Sequence, residues 1–362
     1  MSRWLRCALI FLSLLGSGCA GRIADDLTVE AVSFAHPDEV VKGQGFMVLA
    51  DRREFAVMAF VNAMGYDDEA QGQSMHPVRV KVRRLVSQNL AAHAAKVETW
   101  RQYYETRKLA TFQYLDYALS LSAEYPFRRI RRDTELGYPV TAERLKDFPE
   151  ILNDFWVTGG LDEIWKQVLP DYADELRKYD LARMERQMTF LWQYLRMPRH
   201  DTLTLVNVPD LLDTHFHAIG AHYENYYYTV ESPGSHSYGL NIHEYLHSIV
   251  NPIVKARAGL VKDTVMPYYE AGKDKPIAQS YREPVCFTYE CMVRALDHRL
   301  NALFSGTPDA EKRAEARVVQ LDQDGLTLSL PFYRLLANYE QSDKPFDEFV
   351  PIMLARLPAY GR

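Results

Sequence analysis

The chain has 362 residues, 47% of them hydrophobic, enough to bury a core for one large domain or two smaller ones. Its net charge is −6 with a pI near 6.0, so no global basic field favours nucleic acid, and nucleic acid is not an expected partner. The local exception, Arg128-Arg129-Ile130-Arg131-Arg132, is followed by Asp133 and Glu135 and reads as a solvated surface loop.

In chain order, residues 1–19 read as a targeting segment. Arg3 and Arg6 precede the apolar run Ala8 to Leu15, and Gly16-Ser17-Gly18 lead to Cys19. The run is too short to span a bilayer, so a cleaved export signal is expected. Small residues before a cysteine resemble the bacterial lipoprotein signal, which implies a lipidated Cys19 and tethering to a membrane. The expected location is the cell envelope or periplasm. Gly16 stands where that signal usually has Leu, so a plainly secreted form is the alternative.

Leu27 to Val32 and Phe46 to Leu49 read as strands. Asp51-Arg52-Arg53-Glu54 reads as a capping box that opens a helix, with Gly65 closing it. Val78 to Ser122 is helical in composition, and Thr141 to Leu195 continues as helix with breaks at Gly159-Gly160 and near Pro170. Leu203 to Val206 and Glu224 to Val230 are strand segments. The cluster Ser232-Pro233-Gly234-Ser235 is a turn. Pro284 to Leu300 reads as a long helix, with closing helices over Leu328 to Tyr339 and Phe346 to Leu357. The expected fold class is α+β, mainly helical, with a small sheet and an active-site helix. The expected division is a mostly helical region 20–199 and a catalytic region 200–362. Cys286 and Cys291 lie five apart on one helix, a rise of about 7.5 Å onto different faces, so they read as buried thiols rather than a disulfide.

The chemistry is concentrated in His243-Glu244-Tyr245-Leu246-His247, an H-E-x-x-H motif. On a helix, residues four apart share a face, so both imidazoles can reach one metal ion, with the glutamate beside it as proton acceptor. Ile242, Leu246, Ile249 and Val250 give the segment an apolar side, and Asn251-Pro252 restricts its continuation. The alternative is a pair of ordinary helix histidines bonded to their neighbours. A catalytic zinc takes three protein ligands and leaves a place for water. The extended motif with a glycine and a third histidine is absent, since Val250 and Ile253 stand at those positions. Glu283 and Glu290 are the candidates for a third ligand. Pro284 puts Glu283 at a helix mouth, whereas Glu290 lies inside the apolar run Tyr289 to Ala295, where a carboxylate needs a cation. Glu290 is favoured; its alternative partner is Arg294, one turn on.

On the residues His243 to Pro252, Glu290 to Ala295, Asp51 to Glu54 and Gly65-Tyr66, the chain resembles a bacterial family of gluzincin-type peptidases filed as a domain of unknown function. The resemblance implies a zincin-like catalytic domain, zinc ligands at His243, His247 and Glu290, and Glu244 as general base. It implies no particular substrate.

The corresponding reaction is hydrolysis of a peptide or protein substrate. Zinc makes a water acidic, Glu244 takes its proton and later delivers it to the leaving amine, and a further donor stabilises the oxyanion. Tyr281, Tyr289, Arg294 and His236 are candidates for that donor. The strand from Tyr223 to Val230 is a candidate edge for binding a peptide, and His215, His217 and His222 read as polar loop residues. Two other functions fit the same residues. One is a non-catalytic envelope lipoprotein that uses a zincin fold to bind a partner. The other is a zinc hydrolase of a non-peptide cell-envelope amide.

Overall fold

A computed structural model describes residues 40–43, 46–67, 75–131, 139–198, 204–215, 218–223, 225–234 and 238–359. The targeting segment with Cys19, the strand expected at Leu27 to Val32, His217 and His236 lie outside them. The described chain is mainly helical, with one small mixed sheet. Among the described residues, no helix is long and apolar enough to cross a membrane.

The chain forms two compact units, and they are interleaved in sequence. Among the described residues, one takes those from 40 to 180 and from 204 to 234, and the other takes those from 181 to 198 and from 238 to 359. A division at residue 199 therefore does not coincide with the units. The reason is strand pairing. Strand β2 (Phe46–Leu49) runs parallel to β3 (Thr204–Pro209), with Phe46 opposite Leu205, so the strands after residue 203 belong with the N-terminal helices.

In the first unit the sheet order is β1-β2-β3-β5-β4, with β1 at Val40–Gly43, β4 at Ala218–Tyr223 and β5 at Tyr226–Glu231. β5 pairs with β3 on one side and β4 on the other. The strand expected to be a free peptide-binding edge is thus interior, and its backbone groups are already used. His222, expected in a loop, stands on β4 with its side chain exposed. His215 is in a turn, where its Nδ1 lies 2.9 Å from the Pro233 carbonyl. Arg131, expected in a solvated loop, is buried with its guanidinium 5.5 Å from the Tyr223 ring, and Arg129 lies 5.7 Å from the Tyr117 ring. Aromatic faces attract these two cations, which turns Arg131 inward while Arg128 stays exposed as the loop reading expects.

Among the described residues, seven helices complete this unit: α1 (Arg52–Ala63), α2 (Pro77–Leu90), α3 (Ala94–Arg107), α4 (Thr111–Ala118), α5 (Pro139–Arg144), α6 (Phe148–Thr158) and α7 (Leu161–Leu176). The break between α6 and α7 falls at Gly159-Gly160. Gly160 has φ +65, and a Cβ there would lie 2.7 Å from Nδ2 of Asn89. Pro170, by contrast, does not break α7. The carbonyl that loses its partner is that of Lys166, an exposed residue, so water can serve it.

Asp51 is the N-cap of α1, and its Oδ1 accepts from the Arg53 N–H at 2.8 Å. Arg53 then folds back: Nη2 donates to Asp51 Oδ2 at 2.6 Å, and Nη1 donates to the carbonyls of Leu119 and Leu121. Both members of this pair are almost fully buried. Arg53→Met is expected to lower the unfolding free energy by about 3–5 kcal/mol, because it strands a buried carboxylate. Urea denaturation checks it; a loss below about 1 kcal/mol counts against the pair as a structural anchor.

Glu54 does not close the capping box. Its side chain is buried, and neither oxygen has a hydrogen-bond partner. Burial, with Asp51 and Asp210 adding negative charge, pushes its carboxyl well above the ordinary 4.5. The folded state then holds a proton that the unfolded chain releases above about 4.5, so stability falls as pH rises past that point. Glu54→Gln is expected to match the parent at pH 4 and to exceed it in stability at pH 7. Urea unfolding at both pH values gives the comparison, and equal pH slopes in the two proteins count against it.

The second unit is helical: α8 (Leu181–Leu195), α9 (Tyr238–Lys255), α10 (Ala258–Gly272), α11 (Pro284–Ser305), α12 (Pro308–Asp324), α13 (Ser329–Glu340) and α14 (Phe346–Ala355). Helix α11 is central and packs on α8, α9, α10, α12 and α13. Pro252 lies inside α9 rather than ending it, and the helix continues to Lys255. The orphaned carbonyl is that of half-buried Ser248. At the far end of α10, Gly272 has no room for a side chain, since a Cβ there would fall 2.1 Å from the Gly325 carbonyl. Cys286 and Cys291 are free and buried.

Candidate metal centre

Helices α9 and α11 bring together residues that the sequence holds more than forty positions apart. His243, Glu244 and His247 come from α9, and Glu290 comes from the buried middle of α11. All four are at most 3% exposed. The rear of α9 is held by α8, where the Trp192 ring meets the Tyr245 ring edge-on at 6.3 Å.

Three donor atoms converge. Nε2 of His247 is 3.3 Å from Nε2 of His243 and 3.3 Å from Oε2 of Glu290, and Nε2 of His243 is 3.9 Å from Oε1 of Glu290. Among the described residues, this is the one group of three such side chains whose donor atoms lie close enough to share an ion. A tetrahedral zinc with bonds of about 2.0–2.1 Å needs neighbouring donors about 3.3–3.4 Å apart. Glu290 Oε2 is buried and has no hydrogen-bond partner, a costly arrangement that a cation would relieve. The residues therefore fit the ion. Glu283 is the N-cap of α11 and lies outside this group.

The electrostatics agree with a ligand role. Burial, and then Arg294, push the His243 imidazole well below its ordinary range, so it stays neutral with a lone pair to give. For Glu290, burial alone would raise the carboxyl, but Arg294 and the two imidazoles outweigh it and hold the group ionised. The Arg294 alternative is also realised, since its Nε donates to Glu290 Oε1 at 2.7 Å. The carboxylate thus gives Oε1 to Arg294, with His243 Nε2 3.9 Å from that same oxygen, and turns Oε2 toward His247.

Two groups beside these residues, Asn251 and Asp297, are given no role at the site by the sequence analysis. Nδ1 of His247 lies 3.1 Å from Asn251 Oδ1, which favours the tautomer that leaves Nε2 free to bind. Nδ1 of His243 is 3.9 Å from Asp297 Oδ2, and burial pushes the Asp297 carboxyl up to about 7. The signal was present in the spacing: Asn251 is four residues past His247, and Glu290, Arg294 and Asp297 follow at i, i+4 and i+7 on α11. Of the candidate oxyanion donors, Arg294 is engaged by Glu290, and Tyr281 is buried with Glu290 and Arg294 as its charged neighbours. The Tyr289 ring meets His247 edge-on at 6.0 Å.

No family model matches the chain, and neither a curated protein nor a solved structure matches it.

Proposed function

We propose that the chain is a zinc-dependent metallopeptidase of zincin-like, gluzincin type that acts on peptide or protein substrates outside the cytoplasm. The observation that carries this reading is the convergence of His243, His247 and Glu290, with His247 Nε2 3.3 Å from both His243 Nε2 and Glu290 Oε2, as tetrahedral zinc requires, and with Glu244 on the same helix.

In this reading His243, His247 and Glu290 hold the ion, and Asn251 fixes the His247 ring. When bound, zinc supplies Lewis acidity that lets a water lose its proton near neutral pH. Glu244 accepts that proton as the water attacks the scissile carbonyl, then passes it to the leaving amine. Its position supports the role: it is next to His243 in sequence, about 100° round the helix from it, and is not one of the three side chains whose donor atoms converge. The low exposure of the four residues favours strong electrostatics, since few waters screen them.

Metal analysis of the purified protein, joined to cleavage of a broad peptide library, tests the reading. About one zinc per chain with peptide cleavage is expected. Protein that carries zinc and cleaves no peptide moves the reading to a partner-binding protein, and protein that carries no zinc removes it.

A further inference from the structure

Glu290 is an unusual metal ligand in one respect: a guanidinium already holds half of it. Arg294 Nε sits 2.7 Å from Oε1, and the arginine side chain is itself mostly buried, 15% exposed. This is a charge-assisted bond inside the protein, where few waters compete with it. Oε2 is left without a hydrogen-bond partner and lies 3.3 Å from His247 Nε2. A carboxylate with both oxygens free can grip a cation with either one or two of them. Here the two oxygens are not equivalent.

The geometry points to Arg294 as a positioning residue that restricts Glu290 to one-oxygen ligation through Oε2. The inference rests on the metal-centre reading above and deepens it. With Oε1 held by the charge-assisted bond from Arg294, turning it onto the ion would weaken or bend that bond, so one-oxygen ligation through Oε2 is favoured. A coordination place stays open, as a site that must admit water and a carbonyl oxygen requires. Arg294 is placed for this by helical period alone, one turn after Glu290 and on the same face of α11.

The test is X-ray absorption at the zinc edge, with visible absorption of the cobalt(II)-loaded protein beside it. Three proteins are compared: wild type, Arg294→Met and Arg294→Gln. Wild type is expected to show one oxygen from Glu290 and low coordination. Arg294→Met, which offers no donor to Oε1, is expected to gain one oxygen in the first shell, with weaker cobalt d–d bands. Arg294→Gln retains an N–H donor without the charge and is expected to return toward wild type. An Arg294→Met protein whose metal shell equals that of wild type overturns the proposal and leaves a purely structural ion pair. Should Arg294→Met not fold, the wild-type spectrum decides, because two Glu290 oxygens bonded to the metal there also overturn it. Wild type that takes up neither zinc nor cobalt overturns the metal centre itself, which separates that failure from this one.

Discussion

Glu244→Gln is expected to keep about one zinc per chain while peptide hydrolysis falls by about two to four orders of magnitude, the usual effect of removing a general base. The substitution preserves size, so the packing of a residue with 0% exposure is undisturbed. It removes only the charge that accepts a proton. The three donor atoms of the candidate metal centre belong to other residues, so the metal has no reason to leave. Zinc content by plasma emission and initial rates on the best library peptide measure the two halves. A Glu244→Gln protein that cleaves at the wild-type rate would falsify the assignment of the base.

Removing one imidazole has the opposite signature: the metal goes, and stability goes with it. A ligand that binds the folded state alone stabilises it by RT ln(1 + [L]/Kd), about 4 kcal/mol when free zinc is a thousandfold above Kd. Zinc is therefore expected to raise the unfolding free energy of wild type by about that amount, and a chelator to reverse the gain. His243→Ala loses one of the three donors, so its stability is expected to respond little to either addition. The site's burial strengthens the contrast. Without an ion, Glu290 Oε2 is a desolvated oxygen with no hydrogen-bond partner, and its charge is offset chiefly by Arg294 on the other oxygen. Thermal unfolding of both proteins, with zinc and with chelator, reads the effect. Identical responses in the two proteins would mean that the ion binds elsewhere.

The parts of this protein that the sequence determined by itself are those set by local period and local chemistry. His243 and His247 share a face because 3.6 residues make a turn, and no tertiary contact is needed to know it. The same holds for Asp51 as a cap, for the helix that Pro284 opens, and for the break at Gly159-Gly160. Glu290 was accessible by a cost argument, since a carboxylate in an apolar helical run needs a cation. That argument could not choose between Arg294 and a metal, and the folded chain brings Glu290 near both Arg294 and the two histidines.

What only the tertiary structure decided depends on partners distant in sequence. Which strand is an edge follows from pairing: β5 has the composition of any strand, but β4 covers its free side. The division into units follows from β2 meeting β3 across more than 150 residues of intervening chain, so no boundary near residue 199 could be read from composition. In sequence terms the helix is expected to break near Pro170, and Asn251-Pro252 to restrict continuation of the motif helix, because the residue before a proline disfavours helical backbone. The helices pass through both prolines because the carbonyls left behind belong to exposed Lys166 and half-buried Ser248, and exposure is a property of packing. Glu54 is the sharpest case. Three residues after Asp51 it looks like a capping partner, yet burial strips it of water and sets it near Asp210, more than 150 positions on. Its protonation is then governed by desolvation and a neighbouring charge that local sequence does not contain.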